Sequence, residues 1–215
     1  CRLEMKITTD WLREYLNQPK NLNLLDSMTS LGLEVESHNK LGKESVIDLD
    51  ITPNRSDCLS IYGVARDLSA KYNLRVNNIK VSKLEIKKNF RIIKKIDHKI
   101  APVYSGLVIN NFNNRIDTPS YISRKLKACG VSRINFIVDL INFIMIEIGQ
   151  PMHAFDMDKL SGQINVDSSK RGETIDCLDG KSYKLFSNTP VITDNSGPIA
   201  IAGVLGGQFT AVDKN

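Results

Sequence analysis

One histidine is a candidate for chemistry because of its setting. His153 lies between Pro151-Met152 and Ala154-Phe155, at the end of a long apolar run. The unperturbed pKa of imidazole is about 6.5, so a histidine is largely neutral at physiological pH and can position or activate a water molecule. A lone histidine is more often a satisfied core or loop residue, and a proline-bounded loop looks similar where it merely ends a helix. Both interpretations stay open on these residues alone.

A glycine-rich segment is a second candidate. In "AIAGVLGG", Gly203, Gly206 and Gly207 would let backbone amides approach a ligand where a side chain would collide. The alternative is a tight β-turn, and the two interpretations are compatible. Leu178 precedes an Asp-Gly turn in "CLDG" and would line a pocket or belong to the core.

The potential metal ligands do not form a recognisable set. No cysteines form a CxxC pair, and no histidine has a second histidine or cysteine at metal-ligand spacing. We therefore expect no metal site and free thiols in a reducing cytoplasm. The cysteines and histidines considered as potential ligands are Cys1, Cys58, Cys129, Cys177, His38, His98 and His153.

Composition predicts a soluble globular protein with two domains. The chain has 215 residues, of which 41% are hydrophobic and 25% are charged. Its most apolar segment, residues 134–148, is too short and too polar to span a bilayer and is predicted to be a buried helix.

Positive charge is concentrated in one segment. Lys80 to Lys99 contains eight basic and two acidic residues, which gives +6 in a chain of net charge +5. Clustered lysines supply salt-dependent affinity for nucleic acid, so Lys87, Lys88, Lys94 and Lys95 are candidate RNA-binding residues. The alternative is a solvated linker.

Local patterns predict an α+β fold in which these residues are positioned. A small N-terminal domain of helices and a sheet occupies residues 1–85, a basic linker residues 86–99, and a larger domain residues 100–215. In the first domain we expect a helix capped by Thr9 or Asp10, with an apolar stripe of Trp11, Leu12, Tyr15 and Leu16, and another helix capped by Ser56 or Asp57. Alternating apolar residues at Val46, Ile47, Leu49 and Ile51 predict a strand before the second helix. In the second we expect a strand at 103–109, helices near 121–128 and 134–147, and a mostly β second half.

Several motifs resemble those of one family. "TPNRSDCLSIYGVARDL", "VYSGLVINN", "TPSYISRKLKACGVSRIN", "GQPMHAFD" and "GPIAIAGVLGGQFTAV" occur in the order and with nearly the spacing of the bacterial phenylalanyl-tRNA synthetase β subunit. The resemblance covers the N-terminal region, including the editing domain, of that subunit. The inserted OB-fold tRNA-binding module of the family is missing from this segment of the chain, because only a short stretch separates "GLEVES" from "DLDITPNR".

The resemblance implies a function and a site. The family attaches phenylalanine to its tRNA with ATP and Mg²⁺ on an α subunit, in an assembly of two α and two β subunits, and the β subunit hydrolyses tyrosine wrongly attached to that tRNA. We expect no cofactor in this chain and neither membrane nor DNA as partner. His153 would be the catalytic residue and would share a pocket with Gly206. The other implied substrate-binding residues are Pro151, Met152, Ala154, Leu178, Gly203, Gly207 and Ile141.

Departures from the family pattern keep a second hypothesis open. Ile141 stands where the family usually has threonine, so a pocket hydroxyl is replaced by a hydrocarbon. The family's acidic residue that recognises the tyrosine hydroxyl would follow Asn215, and the chain begins at Cys1 while Met5 matches the family start. We expect a fragment of a longer reading frame. The alternatives are an active editing pocket, a structural and tRNA-binding scaffold that has lost editing, and a free-standing domain that acts on a tRNA.

Overall fold

The computed structural model describes residues 3–17, 22–42, 44–83 and 92–213, and these form an α+β fold as predicted. The helices are α1 (Thr9–Tyr15), α2 (Leu24–Thr29), α3 (Ile61–Tyr72), α4 (Ser120–Ala128) and α5 (Phe136–Ile148), with 3-10 turns at Pro53–Cys58 and Met157–Lys159. The strands are β1 (Leu3–Thr8), β2 (Glu34–Leu41), β3 (Glu44–Ile51), β4 (Ile93–Ile96), β5 (Ile164–Ser168), β6 (Thr174–Asp176), β7 (Ser182–Lys184), β8 (Pro190–Asp194), β9 (Gly197–Ile201) and β10 (Leu205–Gly206). Within the described ranges no helix is long and apolar enough to cross a membrane.

The chain divides into two compact units whose limits differ from the predicted domains. The first unit combines residues 1–82 with 116–152, and the second combines 83–115 with 153–215. The sequence prediction placed all of 100–215 in one domain. The reason for the difference is packing: Ile122 and Leu126 of α4, with Phe143 and Ile146 of α5, are buried in the same core as Trp11.

The first unit is built on an antiparallel sheet of order β1-β3-β2. Its inward-facing residues alternate along β1 and β3, as expected for a sheet with one buried face. β2 and β3 pair along their length from Glu34 opposite Asp50 to Leu41 opposite Glu44. The two strands that the family resemblance separates by an inserted module are therefore joined here as a hairpin.

Helix α1 carries the predicted apolar stripe. Trp11, Leu12 and Tyr15 are buried, and the ring of Trp11 stacks on Phe143 at 4.8 Å between centroids. The predicted caps, Thr9 or Asp10, were one or two residues too late: Thr8 accepts a hydrogen bond from the Trp11 amide and begins the helix. Element ends are set by such single hydrogen bonds, and three adjacent polar residues compete for this one.

The "TPNRSDC" motif connects neighbouring elements of the first unit through the side chain of Arg55. The Arg55 guanidinium contacts Asp57 at 3.1 Å and Asp67 of α3 at 2.6 Å, and donates to the Leu31 carbonyl at 3.4 Å. These contacts lower the pKa of Asp57. Burial raises the pKa of the neighbouring Cys58 thiol to about 11. One guanidinium thereby ties the turn after α2 to α3.

The predicted cap of α3 was also misplaced. Residues 53–58 form a 3-10 turn, and Ser60, rather than Ser56 or Asp57, accepts the hydrogen bond from the Gly63 amide that begins the helix. A Cβ at Gly63 would lie 1.8 Å from the Asp57 carbonyl oxygen. The turn and the helix can therefore approach each other only because residue 63 is glycine.

Helices α4 and α5 confirm the two predicted helices within the larger segment. Asn135 caps α5 by accepting from the Val138 amide, and Gly149 ends it with φ of +77°. Asp139, almost fully buried, accepts from Thr118 Oγ1 at 2.5 Å and from the Ile134 amide at 2.8 Å. Its buried charge is thus hydrogen-bonded, as such groups must be.

The second unit contains a five-stranded sheet of order β10-β9-β8-β5-β4. β4 pairs in parallel with β5 at the sheet edge, so residues 93–96 form a strand where the sequence predicted a linker. The strand predicted at 103–109 is absent from the described residues. Val103, Leu107 and Ile109 are instead more than half exposed, which deprives their apolar pattern of a buried face.

The mostly β second half was predicted correctly. β5, β8 and β9 are antiparallel neighbours, and β6 and β7 form a separate two-stranded ribbon. Ile164, Ile192 and Ile199 are buried in one small core, and Ile175 and Val191 in another. β10 lies at one edge of the five-stranded sheet and contains Gly206, a residue of the candidate site.

Candidate active site

The His153 side chain lies at the surface of the second unit, with part of its ring packed. The ring meets Phe155 edge to face at 4.5 Å between centroids. More than a third of the residue is accessible to solvent, yet the packed part loses hydration and burial lowers the pKa of the imidazole below 6.5. No charged neighbour among the described residues contributes to this shift. The imidazole is therefore neutral near pH 7 and able to accept a proton.

Gly206 forms the other side of the imidazole site. A Cβ at this position would lie 2.2 Å from Cε1 and 2.9 Å from Nε2 of His153. Real Cβ contacts are not this short, so the ring occupies space that only glycine leaves free. His153 and Gly206 therefore lie next to each other, while the shared pocket that the family resemblance implies stays a prediction.

The three glycines of "GVLGG" are required for three different reasons. Gly206 makes room for the His153 ring. Gly207 packs on backbone, since its Cβ would lie 2.5 Å from the Ile199 carbonyl oxygen. Gly203 has open space around it and a φ of +71°, which L side chains rarely adopt. The amide of Gly207 already donates to the Ile199 carbonyl at 2.8 Å, so this amide is occupied within the fold, and the predicted substrate contact of Gly207 stays a prediction.

Leu178 is fixed next to the same glycine pair. Its amide donates to the Gly206 carbonyl at 3.0 Å, and the backbones of Cys177 and Gly207 form an isolated antiparallel β-bridge. The Leu178 side chain is 51% exposed, so it is not a core residue. It stands on the surface beside Gly206, which is where a residue lining a shallow pocket would lie.

Hydrogen bonds hold the segment after His153 in place. The backbones of Phe155 and Ala211 form an isolated antiparallel β-bridge, and the Asp156 amide donates to the Thr210 carbonyl at 2.9 Å. Lys159 pairs with Asp213 at 2.9 Å and with Asp156 at 3.4 Å. The backbone that carries the imidazole is thereby attached to the chain beyond the glycine segment.

The remaining site predictions separate into two groups. Ala154 is half-buried in the second unit beside His153. Ile141, Pro151 and Met152 belong to the first unit: Ile141 is half-buried on α5, while Pro151 and Met152 are exposed beyond Gly149. Their predicted substrate contacts remain predictions.

The basic residues differ in their environment. Lys94 and Lys95 are exposed on β4, and Lys95 pairs with Asp167 of β5 at 2.8 Å. This contact raises the pKa of Lys95 and lowers that of Asp167. The positive charge of Lys95 is therefore partly compensated. Lys87 and Lys88 lie outside the described residues.

Phe155 is a site residue that the sequence analysis did not single out. Its ring supports the imidazole, and the signal that could have found it is an aromatic residue two positions after the candidate histidine. In the part of the chain that the structure describes, no group of three or more His, Cys, Asp or Glu side chains could hold a metal ion. The chemistry available is that of a neutral imidazole at a solvent-accessible position: hydrogen bonding to water and proton transfer.

A protein family model and several known proteins are similar to this chain. The B3/4 domain family model matches residues 100–215. The phenylalanine–tRNA ligase beta subunit of Francisella tularensis is 38% identical over 183 residues, which are 85% of this chain and 23% of that protein. The beta subunit of Hahella chejuensis is 40% identical over 190 residues, which are 86% of this chain and again 23% of the relative.

A solved structure shows a weaker likeness. It is an N-terminal fragment of the phenylalanyl-tRNA synthetase beta subunit of Pyrococcus horikoshii, with 15% identity, a TM-score of 0.47 and coverage of 98% of this chain and 64% of that one. The chain spans about a quarter of the length of the two bacterial relatives. With a family model matched over more than half of its residues, the chain belongs to the B3/4 domain family and is similar to bacterial phenylalanine–tRNA ligase beta subunits.

Proposed function

We propose that this chain acts as part of a phenylalanine–tRNA ligase beta subunit, and that its His153 site hydrolyses tyrosine wrongly attached to the tRNA for phenylalanine. The close contact of His153 with Gly206 carries the second part of the proposal. The first part rests on the similarity to two bacterial beta subunits over 85% and 86% of the chain. Phenylalanine attachment itself, with ATP and Mg²⁺, would take place on an α subunit in an assembly of two α and two β subunits.

The need for such hydrolysis follows from the chemistry of the two amino acids. Tyrosine is phenylalanine with one added hydroxyl, and an apolar synthetic pocket rejects an added hydroxyl by only about a hundredfold. A second site is required where higher accuracy is needed. The substrate there is an ester between the tyrosine carboxyl group and the 3′-terminal ribose of the tRNA.

The imidazole would act on the water that attacks this ester. Because burial lowers its pKa, the ring is neutral near pH 7 and a ring nitrogen accepts a hydrogen bond from that water. The water oxygen bonds to the ester carbonyl carbon as its proton moves to the imidazole. The bond to the ribose oxygen then breaks, and the ribose oxygen takes up the proton. Tyrosine and uncharged tRNA are released.

Replacement of the imidazole tests this role in the assembled enzyme. His153→Ala should slow deacylation of Tyr-tRNA by about a hundredfold to ten thousandfold, the usual value of general acid–base help. Formation of Phe-tRNA should stay within about twofold because it would use a different pocket. Since Ile141 replaces a hydroxyl, Ile141→Thr should raise the deacylation rate if this residue faces the substrate.

The replacement of a hydroxyl by Ile141 also supports a second candidate function. If the parent enzyme shows no deacylation and neither substitution changes it, the chain is a structural and tRNA-binding scaffold. Ile141, a hydrocarbon side chain half-buried on α5, favours this alternative. Single-turnover deacylation of preformed Tyr-tRNA separates the two functions, because it does not depend on the synthetic reaction.

A further inference from the structure

A basic groove lies in the first unit, on residues to which no function has been assigned above. The segment from Ser120 to Arg133 contains four basic residues and no acidic residue. Three of the four, Arg124, Lys127 and Arg133, line one open groove together with Ser123 and Ser132. Gly130, with φ of +79°, turns the chain there so that α4 and the following loop face each other.

The fourth basic residue, Lys125, lies on the buried face of α4 and not in the groove. Lys125 is buried, pairs with Glu14 at 2.6 Å and lies 4.7 Å from the centre of the Trp11 ring. Arg124 and Lys127, three residues apart on α4, are exposed on a different face. One lysine therefore stabilises the core, and the other two basic side chains point toward the groove.

The charge of Arg133 in this groove is only partly compensated. Arg133 contacts the buried Asp139 at 3.5 Å and the fully exposed Asp117 at 3.8 Å, and both distances exceed that of a good hydrogen bond. Its side chain is still 50% exposed. The serine hydroxyls add neutral hydrogen-bonding groups, so the groove combines cationic donors with hydroxyls.

We propose that this groove binds the phosphate backbone of tRNA, a role that rests on the proposed function. Guanidinium groups pair with phosphate oxygens through two parallel hydrogen bonds, and lysine adds a point charge. The groove is open to solvent, as suits a continuous backbone. An acidic protein segment would also meet these charges, but the serines and the twofold presence of arginine favour phosphate.

The test is tRNA binding by the assembled enzyme as a function of salt. Arg124→Glu with Lys127→Glu should weaken binding of tRNA for phenylalanine about tenfold near 0.15 M salt and reduce the slope of log affinity against log salt by about 1 to 2. The exchange Arg124→Lys with Lys127→Arg keeps the charge and should retain most of the affinity. Lys40→Glu, an exposed site on β2, is the matched control and should change affinity less than twofold.

The outcomes distinguish this surface from the proposed function. A folded double-reversal variant with unchanged tRNA affinity and salt slope refutes the groove, while the parent's tRNA binding leaves the proposed function standing. A variant that loses association with the α subunit but not with tRNA also refutes it. If the parent binds an unrelated RNA of equal length as tightly, and the reversal weakens both, the groove stands and the proposed tRNA function fails.

Discussion

Gly206→Ala is the sharpest perturbation of the candidate site. The new Cβ would lie 2.2 Å from Cε1 of His153, whereas ordinary van der Waals contacts begin near 3.4 Å, so the ring must move by about 1.2 Å. The ring is exposed on one side and can swing outward, so the free energy of unfolding should change little. A misplacement of about 1 Å costs a catalytic group about a hundredfold in rate. We expect Tyr-tRNA deacylation to fall by that factor.

Gly172→Ala, in a turn of the same unit to which no site role is assigned, is the matched control for this substitution. Its Cβ would meet nothing within 4 Å, but its φ of +89° makes any L side chain strained by about 1 to 2 kcal/mol. It should therefore lower the free energy of unfolding and leave deacylation within about threefold of the parent. Deacylation kinetics and urea unfolding of both variants give the comparison. If Gly206→Ala edits like the parent while His153→Ala does not, the contact between residues 206 and 153 has no role in catalysis.

Three further predictions follow from the charges. The deacylation rate should fall as the pH drops below about 6.5, through the lowered pKa of His153, because protonated imidazole cannot accept a proton; a pH profile that His153→Ala does not alter would contradict this. Charge reversal of the basic strip should weaken tRNA binding and flatten its salt dependence, and unchanged titrations would identify a solvated linker. The residues to reverse are Lys87, Lys88, Lys94 and Lys95. Arg55→Ala should lower the free energy of unfolding by about 2 kcal/mol, since Asp67 loses the Arg55 cation and Asp57 keeps only its longer contact with Arg66 at 3.5 Å. Arg13→Ala, which removes only a surface pair with Asp10, should cost far less in the same urea titration.

The sequence predicted those elements whose signals are local. The apolar stripe of α1 and the alternation in β3 were read correctly because each follows the period of its own element. The strand predicted at 103–109 failed because alternation says nothing about a partner. β4, with two lysines in four residues, has a weak strand pattern, yet it supplies the parallel partner of β5. Pairing over long sequence separations cannot be inferred from either segment alone.

The site was predictable in its members more than in their roles. His153 and Gly206 were expected together on the strength of the family resemblance, and they are in contact. That Gly207 serves the backbone of Ile199 could not be foreseen, because glycines needed for space, for conformation and for backbone contact look alike in a sequence. The support of the imidazole by Phe155 depends likewise on side-chain packing.

The limits of the B3/4 match and of the packing units carry a consequence for the chain as a whole. The family model covers residues 100–215, but α4 and α5 within it bury their apolar faces in the core that also contains Trp11 and the β1–β3 sheet. Ile122, Leu126, Phe143 and Ile146 lose their cover if that core is removed. At about 1.5 to 3 kcal/mol for each buried side chain, their burial is worth about 6 to 12 kcal/mol, comparable with the whole stability of a domain. The helices between the basic strip and His153 therefore depend on the N-terminal residues for their fold, although they belong by sequence to the same domain family as the candidate site.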